Sequence, residues 1–340
     1  MISLTNFTPD EMVEEIKLLL PSVNLPRFRG KQIFAWIYRG KTDYKEMTDL
    51  SPFLREQLEE KVPLYSSAVE SEHLDEDGTL KLRIRLHDGL FIEAVLLTDQ
   101  EGRKTACLST QAGCAMGCTF CRTGEMGKKR NLEAGEIVEQ FLHLEQTAGG
   151  EISHIVFMGM GEALDNYESF VKSVKLISHP AGREMSPRRM TLSTCGLVPQ
   201  IKRLADDGIQ VRLAVSLNSA KQSIREEIMP IAKRYSINDL KAALRYHQEQ
   251  RGKRITLEYV MLGGVNDRDQ DLRALCKFVP GLNVVVNLIP WNPVQGNTHK
   301  PTTEDRIRKF HQVLEQNDIA VTRRFRRGRG VDGACGQLAT

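Results

Sequence analysis

The sequence predicts an α/β protein: an open, partial (βα)6 barrel, preceded by a helical accessory domain and a β-hairpin extension. Three observations carry that reading. From about residue 104, strand-like and helix-like stretches alternate, with strands near 105–110, 152–158, 189–194, 211–217, 255–262 and 284–289. Six such units imply a parallel sheet joined by right-handed crossovers, and they fall short of the eight that close a full barrel. Upstream, apolar residues first follow helical spacing and then, between 80 and 97, strict alternation.

The elements follow in order. Thr8-Pro9-Asp10-Glu11 is a capping box with proline at the first helical position, and Met12, Ile16 and Leu19 continue it at helical spacing. Ile33, Phe34, Trp36 and Ile37 mark a second amphipathic helix, and Ser51-Pro52 opens a third. Leu80, Leu82, Ile84 and Leu86 alternate with Lys81, Arg83 and Arg85, and Asp88-Gly89 supplies the hairpin turn. The return strand, 90–97, is apolar except for Glu93, and an ionisable group in an apolar strand is an informative exception. In the barrel, Ile137, Phe141 and Leu144 mark one crossover helix and 267–279 another. A last strand near 320–325 leads into a Gly/Arg-rich tail. The expected organisation is a helical domain over 1–75, the hairpin over 76–100, the barrel over 101–318, and a strand with a mobile tail over 319–340.

Composition sets outer bounds. The chain has 340 residues, 41% of them apolar, and a net charge of +3. That is enough for a sizeable core, and the charge is too mild to name a partner. Basic residues gather at Lys128–Arg130, Arg188–Arg189 and Arg323–Arg329, which hints at a polyanion face, though each cluster alone reads more simply as solvated surface. The start of the chain turns acidic at once and offers no apolar signal region, and no apolar run approaches a membrane span, so a cytosolic protein is expected. In that compartment the seven cysteines serve ligation, catalysis or core filling.

In parallel βα folds the site sits at the carboxyl ends of the strands. The unusual residues fall there. The first barrel strand runs into Cys114-x3-Cys118-x2-Cys121, the second ends in Gly159-Met160-Gly161-Glu162, and the third carries Ser193 and Thr194. The fourth ends in Ser216-Leu217-Asn218, the fifth in Gly263-Gly264 and the sixth in Trp291-Asn292. Spacings of three and two in one loop aim three thiolates at one compact object. Zinc is the competitor, but a closed zinc site needs a fourth N or S ligand, which only a distant cysteine could provide. A [4Fe–4S] cluster accepts three protein ligands and leaves one iron exposed. Such an iron can chelate S-adenosylmethionine through its amino and carboxylate groups and open radical chemistry. The glycine turn allows close backbone approach, and Glu162 can accept from an ammonium group. Ser193, Ser216 and Asn218 could bond ribose or carboxylate oxygens, or simply cap strand ends.

With the cysteine triplet and Gly159-Met160-Gly161-Glu162 in order, the chain resembles a radical S-adenosylmethionine enzyme. Pro26-Arg27-Phe28-Arg29-Gly30-Lys31-Gln32, Cys107-x6-Cys114, Arg130-Asn131-Leu132, Ile289-Pro290-Trp291-Asn292-Pro293 and Ala334-Cys335-Gly336-Gln337-Leu338 narrow the resemblance to the RlmN/Cfr family of RNA methyltransferases, from end to end. The RlmN branch acts at adenosine C2 in 23S rRNA and at the tRNA adenosine 3′ of the anticodon; the Cfr branch prefers C8. Gly161-Glu162-Ala163-Leu164 and Ser186-Pro187-Arg188-Arg189 lean toward Cfr. Ile289–Pro293, Gly333-Ala334-Cys335 and Glu258-Tyr259-Val260-Met261-Leu262 lean toward RlmN, which is the reading favoured here.

The resemblance implies roles. Cys114, Cys118 and Cys121 ligate the cluster. Gly161, Glu162, Ser193, Ser216, Leu217, Asn218 and Asn292 contact S-adenosylmethionine; the family often has histidine where this chain has Asn218. Adenine C2 is too electron-poor to attack a sulfonium methyl, whereas a thiolate can, so Cys335 takes the methyl group first. After radical addition to the base, Cys107 releases the RNA by attack on Cys335 sulfur, leaving a disulfide. Glu93 matches the family's proton acceptor. Cys195 and Cys276 are expected to be structural. The family context further implies an electron donor such as flavodoxin or ferredoxin and a monomer. The helical domain and the arginines at 323–329 are the expected RNA surface.

Overall fold

The computed structural model describes residues 3–324, 327–328 and 330–340. Three helices come first: α1 (Pro9–Leu19), α2 (Arg27–Tyr38) and α3 (Pro52–Lys61). The Thr8 capping box is formed on both sides, and Ser51 caps α3 through the Leu54 N–H. Gly30 lets α2 cross α1 closely: a Cβ there would stand 2.1 Å from Pro9 O.

Three antiparallel strands follow, β1 (Ser67–Leu74), β2 (Leu80–Leu86) and β3 (Phe91–Thr98), and then β4 (Lys104–Cys107). A two-residue strand β5 (Gln111–Ala112), the short helix α4 (Arg122–Glu125) and β6 (Arg130–Asn131) form the cysteine loop. The barrel continues with α5 (Ala134–Ala148), β7 (His154–Phe157), α6 (Tyr167–Ile177), β8 (Met190–Thr194), α7 (Val198–Asp206) and β9 (Arg212–Ser216). It closes its sequence with α8 (Gln222–Ile228), α9 (Ile237–Arg251), β10 (Ile255–Met261), α10 (Asp269–Phe278), β11 (Val284–Pro290), α11 (Glu304–Gln316) and β12 (Val321–Arg323).

One sheet of ten strands results, in the order β1-β2-β3-β4-β7-β8-β9-β10-β11-β12. The pairs from β1 to β4 are antiparallel and those from β4 to β12 parallel. The six expected βα strands and the terminal strand all lie in it, and the sheet is open, as six units require. The hairpin is therefore not a separate layer but the antiparallel continuation of the barrel sheet.

One strand escaped the sequence reading. β1 lies where helix was expected, before residue 75. Its run Ser-Ala-Val-Glu-Ser-Glu-His-Leu has no buried face, so it lacks the apolar alternation that announces a strand. It is held instead by its ladder to β2 and by its charged side chains at a sheet edge.

The helical segment is joined to the barrel through Glu139 of α5, which is fully buried. Ser3 Oγ and Thr5 Oγ1 each donate to it at 2.6 Å, Ser66 N at 2.8 Å, and the Ser66 and Ser67 hydroxyls complete the shell.

Candidate functional site

The cysteine loop is shaped by glycines. Gly113 has φ +76°, and a Cβ on it would lie 1.9 Å from Gly127 O, so only glycine lets the loop fold back there. Cys114 N donates to that same carbonyl at 3.2 Å, and Cys121 N donates to Cys118 O at 3.2 Å. The three thiols are half-buried and wall one cavity of about 160 Å³. Burial pushes Cys114 up to about 12 and raises Cys118 and Cys121 as well, and each ionised thiol would add to the cost of the next. A bound cation reverses that cost outright.

The donor set fits a cluster better than a single ion. No histidine lines the cavity. Among the described residues, no three His, Cys, Asp or Glu side chains are gathered around one point as a lone zinc requires. Thiolates on separate irons need no such convergence. Cys195 and Cys335 also border the cavity. Cys195, expected as structural, is buried, and its N–H donates to Glu162 Oε2 at 2.7 Å.

Gly159–Glu162 sits directly after β7. Gly161, at φ +100°, packs against Gln111, where a Cβ would meet a side-chain carbon at 2.6 Å. Its glycine is thus demanded by its own chain as well as by any ligand. Glu162 is buried in the cavity wall and also accepts from Leu164 N at 3.1 Å, and burial raises its carboxyl. Ser193 and Ser216, on neighbouring parallel strands, line the cavity from β8 and β9. Asn292 lines it from the end of β11, donating to Cys335 O at 3.2 Å, while its buried Oδ1 has no hydrogen-bond partner. An orphaned acceptor in the wall is what a ligand amino group would satisfy.

Leu217 and Asn218 are not among the lining residues. Leu217 is fully buried. Asn218, at φ +53°, accepts from Val260 N at 2.8 Å through Oδ1, and its backbone oxygen accepts from Asn266 Nδ2 at 2.7 Å. Its amide nitrogen faces Met229 Sδ at 3.2 Å, and its N–H donates to Glu258 O. Both its side chain and its backbone are committed to joining β9 to β10.

A second cavity, of about 100 Å³, adjoins the first. Cys121, Met158, Gly159, Asn292, Arg324 and Cys335 border both. Cys107, the last residue of β4 and the partner of Val95 on β3, borders the second. Burial, then the nearby Cys335, pushes the Cys107 thiol up to about 12, and the Arg324 guanidinium opposes this. Glu93 lies two residues along β3 from Val95 and is buried but outside both linings. It pairs with Lys81 Nζ at 3.2 Å and accepts from Ala339 N at 2.8 Å.

The tail, expected as mobile, is docked in this structure. Arg122 N donates to Gly336 O at 2.8 Å, Thr123 Oγ1 to Leu338 O at 2.7 Å, and Gln337 Nε2 to Pro293 O at 2.9 Å. Upstream, Asp77 accepts from Gly328 N at 2.8 Å and Asp75 from Gly330 N at 3.1 Å.

Sequence reasoning missed Arg324 and misread its neighbours. Arg323 turns outward to Glu304 at 2.7 Å. Arg324, whose N–H extends the ladder to Leu288 O, turns inward to both cavities, with Cys335, Glu258 and Cys107 around it. A run of arginines looks like surface, but strand parity alternates its faces and was the signal available. Arg326 and Arg329 lie outside the described residues; among the described arginines of that cluster, Arg327 remains a candidate for RNA contact. In the Lys128–Arg130 cluster, Lys128 is spent on Asp165 and Arg130 on Glu136 and Asp88.

Comparison with known proteins places this geometry. The family model of the Radical SAM superfamily matches residues 108–276, and that of the ribosomal RNA large subunit methyltransferase N-terminal domain matches residues 2–64. The chain is 48% identical over 312 residues to the probable dual-specificity RNA methyltransferase RlmN of Treponema pallidum, covering 92% of each. It is 41% identical over 338 residues to the dual-specificity RNA methyltransferase RlmN of Syntrophotalea carbinolica, covering 99% of this chain and 89% of that one. A crystal structure of a radical SAM methyltransferase from Sphaerobacter thermophilus superposes with a TM-score of 0.94 at 41% identity, over 99% of both chains.

Proposed function

The chain belongs to the RlmN family of radical SAM RNA methyltransferases, and from that premise we propose that it methylates C2 of one adenosine in 23S rRNA and of the tRNA adenosine 3′ of the anticodon. The observation that supports this most is the shared wall. Cys335 borders both the cavity of the three-cysteine loop and the cavity of Cys107, so a shift of the tail can present one thiol to two stations.

Cys114, Cys118 and Cys121 would hold the [4Fe–4S] cluster, and Glu162, Ser193, Ser216 and the orphaned Asn292 Oδ1 would face S-adenosylmethionine. When bound, these two supply a methyl group and the means to make a carbon radical from it. The chain's own residues do the rest. Cys335 accepts the methyl group, and Arg324 borders the same cavities beside it. Glu93 takes the proton lost from the ring carbon. Cys107 then attacks Cys335 sulfur: a sulfur–sulfur bond forms, the bond between Cys335 sulfur and the bridging methylene carbon breaks, and that carbon keeps the electron pair and takes up a proton to become the methyl group on the base. Burial, with Cys335 nearby, keeps the Cys107 thiol protonated in this structure.

The accessory helices and Arg327 are the proposed RNA surface. Phe28 and Phe53 are exposed there, 54% and 64%, and Arg29 lies 4.9 Å over the Phe28 ring. Exposed aromatics beside arginines suit splayed bases and phosphates. The same reading includes the division at 75, 100 and 318, a monomer, and a flavodoxin or ferredoxin donor. It also includes a cytoplasmic site of action; no described helix is long and apolar enough to cross a membrane. Mass mapping of rRNA and tRNA after incubation with the reconstituted enzyme tests the core of it. Methylation at C2 of both RNAs is expected, and methylation at C8 would assign the chain to the other chemistry.

A further inference from the structure

Lys81 is a lysine in an unusual place. Its side chain is only 12% exposed, in a residue type that is seldom covered unless paired. Its partner is Glu93, 3.2 Å from its ammonium and 4% exposed. The register explains how they meet. Lys81 lies opposite Val95 on β3, and Val95 lies opposite Cys107 on β4, so Lys81, Val95 and Cys107 form one row across three strands. Glu93 stands one step along β3 on the same face, and Val95 and Cys107 wall the smaller cavity.

The other charges facing Glu93 can be counted. Arg83 is its direct cross-strand partner, but its guanidinium stacks 3.8 Å over the Phe91 ring. Arg85, next on that face, pairs with Glu70. From the tail, Ala339 N–H holds Glu93 Oε2. Ser109 Oγ donates at 2.6 Å to the Glu93 backbone oxygen, so it fixes the strand rather than the carboxylate. The tail that contributes Ala339 also carries Cys335, and it must shift if that thiol is to serve two stations. Lys81 is on a strand and stays.

We propose that Lys81 is a positioning residue for the methyl transfer: it holds the Glu93 carboxylate ionised and aimed beside the Cys107 row once the tail releases its other oxygen. This rests on the reading of Glu93 as the proton acceptor. The step served moves one proton from the ring carbon to a carboxylate oxygen; the C–H electron pair stays with the ring, and no further reactant is needed. Burial drives the Glu93 carboxyl upward, and Lys81, the Ala339 N–H and, more weakly, Arg83 oppose it. A base must be ionised to act, and the Lys81 ammonium 3.2 Å away favours the charged form of this buried carboxylate.

The test is the pH profile of single-turnover RNA methylation by the reconstituted holoenzyme, for wild type, Lys81→Met, Lys81→Arg and Glu93→Gln. In Lys81→Met the acidic limb should move up by about one pH unit, with the plateau at high pH largely kept. At a fixed pH on that limb this is about a tenfold slower reaction. Lys81→Arg should restore the limb. Lys81→Gln replaces the methionine variant if the latter does not fold. A uniform loss at every pH, or a profile identical to wild type, would overturn the proposal while leaving Glu93 as acceptor. Undiminished methylation by Glu93→Gln would overturn the reading of Glu93 itself, and Lys81 with it.

Discussion

Two buried carboxylates divide the labour of this molecule. Glu139 and Glu93 are both sealed from solvent, and burial raises the carboxyl of each. Glu139 is surrounded by serine and threonine hydroxyls and a backbone N–H, all from segments that pack the helical region onto α5. Glu93 has one ammonium from a strand and one N–H from a tail. The first is saturated and has nothing to exchange. In the proposed mechanism the second loses its tail partner and gains a proton. Burial does not mark function by itself; what matters is whether a partner can leave.

That contrast can be broken by substitution. Glu139→Ala should produce the largest change, a loss of about 3 kcal/mol in urea unfolding, because several buried donors are left without an acceptor. The methylation rate per folded molecule should stay near wild type. Glu93→Gln should do the reverse, with methylation falling at least about a hundredfold and a smaller loss of stability than Glu139→Ala. If the two variants have the same signature, the contrast is wrong.

A third measurement uses pH. Because the folded-state pKa of Glu93 is raised, the folded protein binds more protons than the unfolded chain between the two values. Stability from this group is therefore full below the ordinary glutamate range and is lost as pH rises through the folded value. Wild type should lose more stability than Glu93→Gln between about pH 4 and neutrality, read from urea midpoints. Equal slopes would contradict it.

The smallest effect is at the tail. Asp77→Asn weakens the acceptor for Gly328 N–H; burial raises the Asp77 carboxyl, but its Thr79 and Gly328 donors and Arg327 outweigh it and hold it below its usual range. Hydrogen exchange at residues 330–339 should quicken by a few-fold, with stability changed by less than about 1 kcal/mol. Unchanged exchange would mean that the docked tail does not depend on the β1–β2 turn.

How much of this could be read in the sequence follows from the same physics. The parallel strands were legible because each is an apolar run followed by a turn and a helix. Edge strand β1 was not, because one face is exposed and the other is only half-buried and carries Ser67 and Ser71. Glu93 was visible because it interrupts an apolar strand, whereas Glu139 lies in an amphipathic helix where glutamate is commonplace. The three cysteines were legible by spacing alone. The meeting of Cys107 and Cys335 was legible only through the family resemblance, since the two lie on strand β4 and on the tail, far apart in the chain. Arg324 was hidden inside a charge run, and the bonds by which Asn218 ties β9 to β10 are not announced by its residue type.

The central claim is that one thiol, Cys335, carries carbon from one cavity to RNA and is freed by Cys107. Intact-mass and peptide–nucleotide mapping of Cys107→Ala after turnover with RNA tests it directly. The expected result is an RNA adduct on Cys335 that accumulates, and none when Cys335 is also replaced by alanine. Release of methylated RNA by Cys107→Ala with no adduct would contradict it.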